Sequence, residues 1–199
     1  MIVSLGAKLK VAKCLNFLKY VTDQKAIPET LGLEFNDVYV ERYEMLKNIF
    51  PKGNIVDMQY DLAQLRLIKN EQGCQYIQEA ARLADYGIEI GKNAIQEGAT
   101  ELEIVAELEY ALKKKGVQEM SFSTTVLTGQ KTASPHGIPG LDKVTKGDFV
   151  LFDLGVVHKG YCSDITRTFA FGEITEEQKL IYETVLEAEE SAIKAAQLG

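Results

Sequence analysis

Short apolar runs and longer helical periods divide the chain into two parts. Between residues 1 and 70, β-like runs such as 1–5 and 54–58 alternate with a helix-like patch at 11–21. Runs of this length with polar breaks are typical of strands and short helices joined by turns. The pattern therefore predicts a small α/β region at the start of the chain.

A long helical period follows from Asn70 and ends at Gly98. Apolar residues recur along it at the spacing of one helix face: Ile77, Ala80, Ala81, Leu83, Ala84, Ile88 and Ile95. The change from short runs to one long helix predicts a domain boundary near residues 66–72. We therefore expect one domain over 1–68 and a second over 69–199.

Two further helices begin at capping boxes. Thr100 is followed by Glu103, and Thr175 by Gln178, so each threonine and the side chain three residues on can satisfy free N–H groups at a helix start. The first of these helices is predicted to end at Lys115. The second is predicted to reach the last residues of the chain.

The segment between these helices is predicted to be a small sheet. A β-branched strand at 121–128 leads into a Gly- and Pro-rich loop at 129–140, and an apolar hairpin occupies 147–172. Two acidic residues, Asp153 and Asp164, interrupt this hairpin. They are the first candidates for chemistry.

The turn of the hairpin decides how the two aspartates meet. A two-residue turn at His158 and Lys159, or a four-residue turn, places Asp153 directly opposite Asp164, whereas a three-residue turn puts them on opposite faces. We expect the even turn, with both carboxylates on one roomy face of the sheet. Like charges directly opposite each other are destabilising. A bound divalent cation, a shared proton or exposure to solvent would each relieve the repulsion.

Charge and hydropathy exclude several classes of partner. The formal net charge is −7 and the basic residues are scattered, so a phosphate backbone would find little electrostatic attraction. No run approaches the roughly 20 apolar residues of a membrane span, and no secretion signal begins the chain. We expect a cytoplasmic protein that binds neither nucleic acid nor membranes.

Few side chains offer sulfur or imidazole chemistry. Cys14, Cys74 and Cys162 form no CxxC pair, so they are predicted to be buried free thiols. The two histidines are His136 and His158. His158 is interpreted as a turn residue. His136, in the loop SPHGIPG, is either a loop-capping residue or a group that hydrogen-bonds a substrate carbonyl or shuttles a proton.

The motifs of the second half closely resemble the Xaa-Pro dipeptidases and aminopeptidases, metallopeptidases with the pita-bread fold. The resemblance covers roughly residues 30–199 and rests on the segments LRLIKNEQGCQYIQEAARLAD (65–85), PHG (135–137), GDFVLFDLG (147–155), GYCSDITRTFAFG (160–172) and TEEQKLIYETVLEA (175–188). It implies an α+β fold class. The first half of a pita-bread domain would follow the end of a smaller, creatinase-like N-terminal domain.

The resemblance also implies roles for three residues. Asp153 and Asp164 would be ligands of two divalent metal ions, with Asp164 bridging them, and His136 would contact the substrate and stabilise the tetrahedral intermediate. Mn²⁺ is the expected metal, with Co²⁺ or Zn²⁺ as alternatives. The metals would act as Lewis acids and as the source of the nucleophile that cleaves the bond preceding proline in proline-containing peptides. The parent enzyme would be a homodimer.

The chain departs from the family pattern in one respect. The family takes one more histidine and two glutamates from motifs that would follow Gly199. We therefore expect an internal piece of a longer enzyme, which alone binds metal weakly, lacks peptidase activity and self-associates through an open sheet edge. Two alternatives share the fold: a binding module without activity, and a metal-free creatinase-like hydrolase, whose aspartates would be replaced.

Overall fold

A computed structural model describes the backbone of residues 2–5, 8–11 and 29–197 and the side chains of 29–197. The helix-like patch predicted at 11–21 lies outside the described residues apart from Val11, and so does Cys14.

The described chain divides into two compact units, Met1–Lys69 and Asn70–Gly199. The first unit holds a four-stranded sheet of β1 (Ile2–Leu5), β2 (Lys8–Val11), β3 (Thr30–Leu33) and β4 (Asn54–Asp57). The strand order is β2-β1-β3-β4, in which β1 is antiparallel to both neighbours and β3 is parallel to β4. Strands and helices alternate from β3 onward.

The core of the first unit forms where a helix crosses between the two parallel strands. Parallel neighbours need such a crossover, and it contains a short 3-10 helix, Phe35–Asp37, and helix α1, Val40–Ile49. Helix α2, Gln59–Leu67, follows β4. The residues buried in this core are Leu31, Leu33, Leu46 and Phe50.

Three helices belong to the second unit: α3 (Glu71–Asn93), α4 (Glu101–Lys114) and α5 (Glu176–Ala195). Both predicted capping boxes are present, at Thr100 with Glu103 and at Thr175 with Gln178. Helix α3 ends before the predicted Gly98, which adopts a left-handed φ of 80° in the following turn. No helix in the described part of the chain is long and apolar enough to cross a bilayer.

The sheet of the second unit is antiparallel and has the order β5-β6-β9. Its strands are β5 (Thr125–Thr128), β6 (Asp148–Leu154) and β9 (Ile165–Phe171). A 3-10 helix, Gly129–Ala133, follows β5. The small ladder of β7 (Val157–His158) and β8 (Tyr161–Cys162) forms the tip of the hairpin between β6 and β9.

One face of this sheet packs on α3 and α4. Val150, Phe152 and Leu154 alternate along β6 and are fully buried, as the apolar pattern predicts. Gly91 of α3 allows a close approach, because a Cβ atom there would lie 2.5 Å from Cε1 of Phe152. The core therefore fixes which face of β6 carries Asp153.

The predicted register of the hairpin is wrong. The turn is even, but it consists of Lys159 and Gly160, with φ angles of 52° and 83°, and Asp153 pairs with Thr166 rather than with Asp164. Two positive φ angles match a type I′ turn, in which glycine is favoured. The turn therefore lies one residue further along the chain than predicted, and the two aspartates are diagonal neighbours.

The prediction for the cysteines is corrected in part. Cys74 and Cys162 are free thiols, but both are exposed. Each follows a residue that makes the contact instead: a Cβ atom on Gly73 would lie 2.7 Å from the hydroxyl oxygen of Tyr161. The sequence pattern did not show that Gly73 and Tyr161 are the packed residues, and that Cys74 and Cys162 beside them are exposed.

Candidate active site

Asp153 lies on the sheet face opposite to the one that packs on α3 and α4. It is half-buried between two fully buried neighbours, Phe152 and Leu154, so the pleat places it on the other face. Its register partners on that face are Thr125 of β5 and Thr166 of β9. The hydroxyl of Thr166 donates a 3.1 Å hydrogen bond to Oδ1 of Asp153. One carboxylate oxygen is therefore held by a neighbouring side chain.

Asp164 lies just before β9 and is exposed. The ladder continues past it, because the backbone N–H of Ser163 donates to the carbonyl of Val156 at 3.0 Å. The same register places Gly155 opposite Asp164. A Cβ atom on Gly155 would lie 2.0 Å from the backbone oxygen of Ser163, so only glycine allows this approach. Strand alternation from Thr166 carries Asp164 to the face of Asp153.

A groove of about 1020 Å³ runs along the outer edge of β9, between α3 and α5. Asp164 lines it together with Asp85 of α3 and Glu189 of α5, but neither Asp153 nor His136 does. The groove therefore meets the face that holds the two aspartates at Asp164 and Thr166, without reaching Asp153.

The loop with His136 lies over the same face as Asp153. His136 itself is exposed, in a turn where the N–H of Gly137 donates to the carbonyl of Ser134 at 3.1 Å. A Cβ atom on Gly137 would lie 2.6 Å from Cδ1 of Leu127, which is two residues from Thr125 along β5. Since Thr125 and Asp153 are paired, Leu127 projects on the same face. The structure thus brings the loop and the aspartates to one side of the sheet.

The sequence analysis missed Thr166 and a cluster built on Glu101. Glu101 is fully buried and accepts hydrogen bonds from Lys131, Gly140 and Thr128. Its partners lie 27 to 39 residues further along the chain, so no local pattern marks them. For Thr166 the signal existed, because a turn placed at Lys159 and Gly160 would have paired it with Asp153.

Two groups of this cluster have shifted pKa values. The hydrogen bond from Lys131 lowers the pKa of Asp142 below its ordinary 3.8. Hydrogen bonds to Asp142 and then to Glu101 raise the pKa of Lys131 above 10.5. Both shifts favour the charged forms, so the pair stays ionised over a wide pH range.

The aspartate pair fits part of a metal centre. Carboxylate oxygens are hard donors suited to Mn²⁺ and other divalent ions. Asp164 is exposed and one oxygen of Asp153 is oriented by Thr166, so both carboxylates are available. Within residues 29–197, however, no three His, Cys, Asp or Glu side chains group closely enough to hold a metal ion.

Comparison with known proteins agrees with the motifs. Residues 75–199 match metallopeptidase family M24. The YkvY protein of Bacillus subtilis (strain 168) is 52% identical over 169 residues, which are 85% of this chain and 47% of YkvY. The chain thus spans about half the length of the curated relatives it matches.

Solved structures give the same result. The X-Pro aminopeptidase from Thermotoga maritima MSB8 is 32% identical with a TM-score of 0.82, over 96% of this chain and 54% of that one. The prolidase from Pyrococcus furiosus is 35% identical with a TM-score of 0.77, over 86% and 50%. These neighbours are pita-bread proteins, so the predicted α+β fold class is confirmed.

Proposed function

Because this chain belongs to metallopeptidase family M24, we propose that it supplies part of the active site of an Xaa-Pro peptidase. The reaction would be hydrolysis of the peptide bond preceding proline, in dipeptides or longer peptides. One observation carries the proposal: the loop of His136 lies over the sheet face that holds Asp153. An interaction module without activity would have no need of this arrangement.

The family implies divalent metal ions, and we assign Asp153 and Asp164 as two of their ligands. Mn²⁺ is the proposed metal, with Co²⁺ or Zn²⁺ as alternatives, and exposed Asp164 is the proposed bridging carboxylate. When bound, such ions polarise a carbonyl and lower the pKa of water. Thr166 supports this assignment, because its hydrogen bond fixes one oxygen of Asp153 and leaves the other available.

His136 is the proposed catalytic residue among the described side chains. Its imidazole is exposed, in the loop that lies over the face of Asp153. A neutral imidazole donates one N–H, which would stabilise negative charge on the substrate carbonyl oxygen. In its protonated form it would instead deliver a proton to the departing proline nitrogen.

The proposal extends to the location, the oligomeric state and the domain organisation of the enzyme. We propose a cytoplasmic homodimer acting on proline-containing peptides, with residues 1–68 as the end of a creatinase-like N-terminal domain and 69–199 as half of the catalytic domain. The net charge of −7 supports the absence of nucleic acid partners. We further propose that the 199-residue chain alone is inactive, because two carboxylates bind metal weakly.

A chimera tests the proposed activity. The chain is fused to the segment that YkvY carries beyond its matched residues, and release of free proline from an Xaa-Pro dipeptide is measured with Mn²⁺. We expect turnover by the chimera, and loss of at least a hundredfold in kcat for Asp164→Asn, because a ligand charge is removed. The matched control is Glu107→Gln, because Glu107 is an exposed acidic residue of α4 that lies outside the groove of Asp164.

Two results would contradict the proposal. One is a folded chimera that cleaves an Xaa-Ala dipeptide as readily as Xaa-Pro. The other is an Asp164→Asn chimera that keeps the activity of the Glu107→Gln control. The same two substitutions placed at the aligned positions of intact YkvY decide the question if the chimera does not fold.

A further inference from the structure

A buried carboxylate joins the start of α4 to the loop that carries His136. Glu101 has no exposed surface. Its Oε2 accepts hydrogen bonds from Nζ of Lys131 at 2.6 Å and from the N–H of Gly140 at 2.7 Å, and its Oε1 accepts from the N–H of Thr128 at 2.9 Å. Every donor belongs to the segment 128–140.

Further bonds tie the far end of this segment to the same turn of helix. Lys131 also binds Oδ2 of Asp142 at 2.8 Å. The carbonyl of Asp142 accepts from the N–H of Glu101 at 3.1 Å, and that of Gly140 accepts from the N–H of Leu102 at 3.2 Å. The loop is therefore held on both sides of His136.

Backbone hydrogen bonds connect Lys131 to the residues around His136. The N–H of Ser134 donates to the carbonyl of Lys131 at 3.0 Å, and the N–H of Gly137 donates to the carbonyl of Ser134 at 3.1 Å. Gly137 in turn packs on Leu127. His136 itself makes none of these contacts, so its position is set by the residues around it.

We propose that Glu101 and Lys131 are positioning residues for His136. A buried ion pair is weak evidence for stability, since desolvation offsets much of its attraction, but it favours one arrangement over others. Here that arrangement is the path of residues 129–142 over the face of Asp153. The catalytic meaning of this inference rests on the proposed function, whereas the tether itself does not.

The test follows His136 by NMR in the 199-residue chain. In the native chain the His136 amide should have an order parameter of about 0.85, and Lys131→Met should lower this order parameter below about 0.6. Lys131→Arg should restore most of the difference because it keeps a charged donor. The matched control is Lys113→Met, which removes a lysine that bonds only a backbone carbonyl, at 2.7 Å.

His158 serves as the internal reference, because the chain has two histidines and His158 lies in the separate β7–β8 ladder. Its amide should not change in any variant. An unchanged His136 amide in folded Lys131→Met would overturn the inference. If Lys131→Met does not fold, Asp142→Ala removes only the second bond of Lys131, and it must loosen His136 more than Lys113→Met does.

The order parameter of His136 can be measured without peptidase activity. A negative result would therefore overturn the positioning role without overturning the proposed function. In an active chimera, Lys131→Met should lower kcat about tenfold with little change in KM, since misplacing a group that acts in the transition state has this signature. Equal loss for Lys131→Met and Lys113→Met would count against a positioning role.

Discussion

Gly155 is the residue on which the placement of Asp164 depends most directly. A Cβ atom at this position would lie 2.0 Å from the backbone oxygen of Ser163 and 3.0 Å from the ring of Phe122. Real Cβ contacts stay above 3.0 Å, so the chain at Ser163 must recede by about 1 Å. A backbone oxygen has no rotamer that would relieve the contact.

The energetic effect of Gly155→Ala follows from the bonds at this point. Overpacking costs about 1 to 3 kcal/mol. Moving Ser163 also weakens its 3.0 Å bond to the carbonyl of Val156 and the 3.1 Å bond from the N–H of Val156 to its hydroxyl, about 1 kcal/mol each. We expect the free energy of unfolding to fall by about 3 to 5 kcal/mol.

Urea denaturation of the chain measures this loss. The control is Gly98→Ala, because Gly98 has a φ of 80° and open space around its Cβ position. That variant should lose only about 1 kcal/mol, the ordinary cost of alanine in the left-handed region. If Gly155→Ala is no more destabilising than Gly98→Ala, the close approach of the two strands is not as described.

Three further substitutions or titrations test other parts of the structure. Thr100→Ala should destabilise the chain by about 1 kcal/mol in the same assay. The pKa of Glu103 is lowered by bonds from the backbone N–H and the hydroxyl of Thr100, and by carbon NMR it should rise only part of the way toward 4.5, because alanine keeps the N–H. Because the pKa of Asp142 is lowered, its charged carboxylate contributes fully to folding stability above pH 3.8, and this contribution is lost as the pH falls further. The bond to Lys131 should then break, and the carbon chemical shift of the Asp142 carboxyl group reports this change. Phe152→Ala should cost about 3 to 5 kcal/mol, because the ring is fully buried.

Features with local signals were predicted correctly. The capping boxes at Thr100 and Thr175 depend on residues three positions apart, and both are present. The core face of β6 follows from alternation, which placed Phe152 and Leu154 inside and Asp153 on the other face. Such features need only neighbouring residues, so a sequence pattern is sufficient to find them.

Features that depend on one turn residue or on distant contacts were not predicted. The register changed because Gly160 takes the second turn position, which moved the partner of Asp153 from Asp164 to Thr166. The bond between Glu101 and Lys131 joins residues 30 positions apart, and only the folded chain brings them together. The motifs still identified the candidate residues, because the motif spacing does not depend on the register.

The most direct test of the metal assignment is Mn²⁺ titration of the chain observed by NMR. Because Mn²⁺ is paramagnetic, we predict broadening of the Gly155 and Thr166 amides, which flank the two carboxylates, and no saturation at micromolar metal. The double variant Asp153→Asn and Asp164→Asn should abolish the broadening, and Glu107→Gln should leave it unchanged. Broadening that survives the double variant, or that is centred away from Gly155 and Thr166, would contradict the assignment of Asp153 and Asp164 as metal ligands.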